Sequence, residues 1–221
     1  MHSALLKNRR HPHSAFRVRC TIGAMALFLG VAPNAHAQGD VTARLYRDSY
    51  ALEAKRDYAG ALAKVRDAKK AGTNAYFAAV RMGWLSYLAG DYTTAVAMYT
   101  EAASAEPKAV EPKLGRSLAL LAIGNWRELE RASREVLAID AENVTALSRL
   151  AIAQYNNGNF ADAAATYRKL TESYPSDLDF KTGLGWALLK GGRTAEARPL
   201  FAAVLAVSPD NLNALKGLGR N

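Results

Sequence analysis

Gly90-Asp91-Tyr92, Gly124-Asn125-Trp126, Gly158-Asn159-Phe160 and Gly192-Arg193-Thr194 are four tripeptides set 34 residues apart. Arg56-Asp57-Tyr58 stands one period upstream of the first. Working outward, Ala61, Ala95, Leu129, Ala163 and Ala197 keep the same spacing. Pro107, Pro175 and Pro209 close repeats on that grid, with Thr73 and Ala141 in the other two. The period runs from about residue 42 to the C-terminus without insertion or deletion. A unit of this length cannot bury its apolar face alone, so a fixed period predicts a solenoid of stacked two-helix repeats. The apolar spacing is helical throughout, with no alternating strand pattern, and the fold class is all-α.

Each repeat reads as helix A, a tight turn, helix B and a closing turn. Repeats begin near Thr42, Tyr76, Val110, Val144 and Leu178, and a partial sixth covers 212–221. The A–B turn calls for glycine, because a positive φ carries little cost only there. Arg56 holds that place in the first repeat, so a different turn is expected. Asp91, Asn125 and Asn159 suit helix-B N-caps. Glu128 and Asp162, three residues after the two asparagines, have capping-box spacing. Small residues (Gly83, Ser117, Ala151, Gly185, Gly219) mark where helix A meets helix B closely. Leu52, Leu120 and Leu188 in helix A, with Val65, Tyr99, Tyr167 and Phe201 in helix B, fill the next layer. Leu129 and Ser133 replace the alanine and the large residue in the third repeat, so these columns do not fix the helix packing there. Pro112 fits a first helical turn, and Pro199 predicts that its helix starts late or bends.

Residues 1–37 stand apart. They hold Lys7, Arg9, Arg10, Arg17 and Arg19 and no acid. An apolar run, 21–31, follows, and then Ala35-His36-Ala37, a small-x-small cleavage pattern. This reads as a secretory signal peptide cleaved after Ala37. The apolar run is shorter than the ~20 residues a spanning helix needs, and an uncleaved membrane anchor is the alternative. Cys20 precedes the run, which excludes a lipidation cysteine. The expected location is the periplasm or cell envelope, with the repeat domain over 38–221 and no membrane span after cleavage.

Removing that segment recasts the composition. The whole chain has 29 basic and 20 acidic residues, net +9. The mature part keeps 24 against 20, a net of +4 that gives no argument for nucleic acid. All four histidines and the one cysteine lie within residues 1–37. The remainder therefore cannot build a Ser-His-Asp or Cys-His site, an imidazole or thiolate zinc site, or a disulfide. No cofactor, metal or catalytic residue is expected, and the chain is read as not an enzyme.

Leu150-Ala151, Gly158-Asn159-Phe160, Ala163, Tyr167 and Pro175 together resemble the tetratricopeptide repeat (TPR) family. So do Leu184-Gly185, Gly192, Ala197, Phe201 and Pro209, and Gly83, Gly90-Asp91-Tyr92, Ala95, Tyr99, Ala102 and Pro107. The first repeat departs most, with Asp48-Ser49 where the family has a Leu-Gly-like pair. The resemblance implies a right-handed superhelix of five two-helix repeats plus a partial sixth, whose shared activity is holding other proteins. It also implies that the second, fifth, ninth and twelfth places of each repeat line a concave groove. Among them are Tyr46, Tyr50, Phe77, Trp84, Tyr87, Leu118, Ile152, Tyr155 and Trp186, an aromatic and aliphatic set with few charges.

Half-exposed, the five N-terminal rings of that set would present on the order of 400–600 Å², the size of an interaction site. Alternatively, they pack on one another as the superhelix curls. The family's Lys, Asn and Arg clamp for a chaperone carboxylate is excluded, because Tyr46, Tyr50, Val80 and Trp84 hold its places. Lys64, Arg66, Lys69 and Lys70 read as a solvated helix-B face. Arg127, Arg131 and Arg134 alternate with Glu128, Glu130 and Glu135 as surface ion pairs. The expected function is a protein-binding scaffold in an envelope assembly. The alternative is a structural subunit that self-associates through its solenoid ends.

Overall fold

Left-handed turn residues recur on the 34-residue grid of the computed structural model, which describes residues 33–219: Arg56, Gly90, Gly124, Gly158 and Gly192 all have φ between +61° and +84°. Each joins a helix A to its helix B, and eleven helices occur among the described residues. The A helices are α1 (Pro33–Ala54), α3 (Ala75–Leu88), α5 (Glu111–Ile123), α7 (Val144–Asn156), α9 (Leu178–Lys190) and the short α11 (Leu212–Gly217). The B helices are α2 (Tyr58–Lys70), α4 (Tyr92–Ala105), α6 (Trp126–Leu137), α8 (Phe160–Ser173) and α10 (Thr194–Val207). The expected signal segment lies outside the described residues up to residue 32, and α1 runs through the expected cleavage position.

The first turn does not differ from the others, contrary to expectation. Arg56 takes φ +61°, and the next backbone N–H, that of Asp57, donates to the Leu52 carbonyl at 2.9 Å. Asp91 bonds Ser86, Asn125 bonds Leu120, Asn159 bonds Gln154 and Arg193 bonds Leu188 in the same way, at 2.8–3.1 Å. Closure of the turn overrides the side-chain preference, at a conformational cost that arginine bears and glycine does not.

The same bond removes the capping boxes. A box needs the cap residue's own N–H as donor for the residue three places on, but in each turn that N–H is already committed to helix A. Glu128 turns instead to Arg131. Asp57, Asp91 and Asn125 do cap, accepting from Gly60, Thr94 and Glu128 N–H. The Asn159 side chain does not. α10 begins at Thr194, on the grid, with Pro199 inside it, so the late start expected from the proline does not occur.

Packing between repeats follows a size rule. The Tyr99 ring lies against Gly83 of its own repeat and Gly115 of the next; a Cβ there would fall 3.0 Å and 2.4 Å from ring atoms. The rings of Tyr167 and Phe201 meet Gly183 and Gly217 likewise. Gly115, Gly183 and Gly217 each stand sixteen places after the ring they meet. Where the helix-B residue is Val65 or Ser133, the same place holds Arg81 or Arg149. In the third repeat Leu129 and Ser133 are fully buried.

α3, α5, α7, α9 and α11 approach one another in succession, whereas the B helices have no comparable contacts. The crowded layer of a curved two-layer stack is the inner one. The A helices therefore line the concave side. On the outer side long side chains bridge the B helices, as Lys69 does to Glu101 at 2.7 Å.

Candidate functional site: the A-helix face

Helix A places residues three and four apart on one stripe, and the stack sets these stripes side by side. The first part of the face is built around Arg81 of α3, which is 7% exposed. Its Nη1 pairs with Glu53 of α1 at 2.5 Å, and its Nη2 donates to Ser49 Oγ at 3.3 Å. Trp84 Nε1 donates to the other Glu53 oxygen at 2.8 Å. The Tyr50 ring covers the guanidinium, 3.8 Å from carbon to centroid, a cation–π contact. One charge pair thus fixes the side chains of Tyr50 and Trp84.

The nine residues expected to line a groove divide by exposure. Tyr50 and Phe77 are 57% and 62% exposed; Phe77 leans edge-on against Tyr76. The other seven are half-buried. Trp84 stacks on Tyr87 at 5.9 Å, and Tyr87 meets Tyr92 at 5.4 Å. Tyr155 packs edge-on to Phe160, and Trp186 to Phe201. Tyr46 buries its hydroxyl without a partner. Leu118 and Ile152 lie between these groups along α5 and α7. Exposure and mutual packing thus apply to different rings, and Tyr50 and Phe77 alone present on the order of 200–300 Å².

Sequence reasoning missed the charges in this layer. Arg81 and Arg149 occupy the sixth place of their repeats, between the aromatic columns. Arg149 Nη1 donates to the Leu114 carbonyl and to Ser117 Oγ, both at 2.6 Å. The signal was available: each arginine follows a serine 32 residues earlier, Ser49 or Ser117, where aromatic junctions have glycine or alanine. Burial lowers the Arg149 pKa to about 10, countered by the phenols of Tyr87 and Tyr99. Burial in turn raises the pKa of Tyr87, Tyr99, Tyr155 and Tyr167.

Elsewhere the surface ion pairs form on α6: Arg131 meets Glu128 at 2.5 Å and Glu135 at 3.0 Å, and Arg134 meets Glu130 at 2.8 Å. Among the described residues no cluster of three metal-ligating side chains occurs, and no helix is long and apolar enough to cross a membrane.

Comparison with known proteins agrees with this architecture. The Tetratricopeptide repeat family matches residues 124–178, 148–212 and 182–220. A tetratricopeptide repeat protein from Parabacteroides merdae superposes with a TM-score of 0.74 at 19% identity, over 81% of this chain and 71% of that one. YrrB, described as a TPR protein with an unusual peptide-binding site, gives 0.73 at 15% identity, over 85% and 98%. The Arabidopsis thaliana Protein CTR9 homolog is 29% identical over 129 residues, 58% of this chain but only 12% of that protein. Residues 124–220 thus match the tetratricopeptide repeat family, and the described residues share the fold of tetratricopeptide repeat proteins, a class of protein–protein interaction scaffolds that are generally non-catalytic.

Proposed function

We propose that this chain is a non-catalytic adaptor of the periplasm or cell envelope. It holds an extended segment or helix of a partner protein on its A-helix face. The observation that carries the reading is the pair of exposed rings, Tyr50 and Phe77, on the concave side, one of them fixed by a buried ion pair. Exposed aromatics held rigid lose little entropy on binding and dominate binding hot spots. The description of the similarly folded YrrB as having a peptide-binding site supports the same use of the fold. Export rests on the basic, apolar and small-residue pattern of residues 1–37.

The test is to express the chain with its own N-terminus, crosslink in cells and compare wild type with Tyr50→Ala/Phe77→Ala. Both substitutions remove exposed rings, so the fold should persist. A partner recovered with wild type and lost with the variant is the expected result; retention of the partner would remove the groove from the account. A second reading, association through the solenoid ends, is favoured by the exposure of Val207 (72%) and Leu212 (68%) at the C-terminal edge. It requires the mass in solution to rise with concentration.

A further inference from the structure

Three arginines of the A helices are withdrawn from solvent, and two of them have carboxylates. Arg81 has Glu53, and Arg116 has Glu135. Arg149 has none. Its Nη1 is held by two neutral acceptors, Leu114 O and Ser117 Oγ, and its electrostatic neighbours are the phenols of Tyr87 and Tyr99. A half-buried cation without a counter-ion is destabilising. The two bonds also orient the group: Nη1 is anchored between α5 and α7, while among the described residues Nε and Nη2 have no hydrogen-bond partner. That leaves one edge of a planar fork open, the shape that receives a carboxylate through two hydrogen bonds.

We propose that Arg149 is the recognition point for an acidic side chain, Asp or Glu, of the partner segment that lies on the A-helix face. This rests on the groove reading above. The position favours a side chain over a chain terminus. Tyr87 and Leu118 continue the face on one side of Arg149 and Ile152 and Trp186 on the other, so a bound segment passes across it in both directions. The apolar neighbours set the rest of the preference: one acid flanked by apolar residues. The weakened hydration near these side chains makes the pairing stronger than at an open surface.

The test reads Arg149 directly, by the Nε–H resonance of the purified protein, assigned by its loss in Arg149→Lys. The probes are N-acetyl-Leu-Glu-Leu-amide, its Gln counterpart, and N-acetyl-Leu-Leu-Leu with a free carboxylate. The expected result is a saturable Arg149 shift with the Glu peptide, with a dissociation constant on the order of 1 mM, at least tenfold weaker with Gln. Equal responses to Glu and Gln, with groove resonances at Tyr87 and Trp186 moving in both, would overturn the Arg149 assignment and leave the groove reading intact. If no groove resonance moves with any probe, both readings fall. A response to the free C-terminus alone replaces the side chain with a terminus and overturns the proposal as stated. Arg149→Met separates recognition from structure. The proposal predicts an unchanged or higher melting midpoint with the Glu preference gone. A lower midpoint with the Glu preference retained would show Arg149 to be purely structural.

Discussion

Replacing Gly115 with alanine tests the size rule that sets the spacing of the inner layer. An added Cβ would lie 2.4 Å from Tyr99 Cε1 and Cζ, where ordinary contact is 3.4–4 Å. The ring has little room to retreat, because it is also packed against Gly83, where an added Cβ would stand only 3.0 Å from ring atoms. The α3–α5 junction must therefore open by about an ångström, an overpacking cost of about 1–3 kcal/mol. Alanine regains about 0.8–1.0 kcal/mol of helix propensity, leaving a net loss of about 1 kcal/mol or somewhat more. In a Tyr99→Ala background the clash is gone and the same substitution should stabilise by the propensity term alone. The two effects should thus couple by roughly 1–3 kcal/mol in a double-mutant cycle. Urea unfolding followed by far-ultraviolet circular dichroism measures the cycle, and amide exchange in α4 and α5 locates it. Stabilisation by Gly115→Ala in the wild-type background, or additivity with Tyr99→Ala, would show that the Tyr99 ring does not set the spacing of this junction.

Arg56→Gly should stabilise the protein by about 1 kcal/mol, because it relieves a left-handed arginine; an unchanged or lower urea midpoint contradicts this. Gly90→Ala should destabilise by a similar amount although no atom lies near its Cβ position. Its φ of +80° is the whole cause. Alkaline pH should unfold the protein. The phenols of Tyr76, Tyr87, Tyr99, Tyr155 and Tyr167 hold their protons more tightly when folded. Their contribution is full below the unfolded pKa near 10 and disappears as pH rises through the folded values. Arg149, lowered to about 10, acts in the opposite sense between that value and its unfolded one, but it is one group against five. A urea midpoint that stays level or rises above about pH 10 would contradict the balance.

The repeat grid made the fold legible. Glycine at one column and proline at another report local backbone geometry, which a single sequence carries directly. Arg56 shows the limit: its side chain argues against the left-handed turn, yet the hydrogen bond from Asp57 to Leu52 imposes it. The capping boxes failed for a similar reason. Spacing shows which side chains are in reach, but not that the donor they need is already engaged. The ring–glycine junctions and the arginines opposite small residues were written in the sequence as pairs sixteen and 32 places apart. They were invisible while each column was read alone, because their meaning comes from contact between neighbouring repeats. The groove was partly legible. Helical spacing selects a face, but the difference between exposed Tyr50 and half-buried Tyr87 depends on Tyr92 and Trp84, contacts that no spacing rule supplies.

In the proposed function the A-helix face, not the outer helices, meets the partner. The direct measurement places a photoreactive phenylalanine analogue at Phe77, which is 62% exposed on the inner side, and separately at Arg131 on α6. Each variant is irradiated in cells. A crosslinked partner is expected from Phe77 and none from Arg131. A partner captured from Arg131 and not from Phe77 would contradict it.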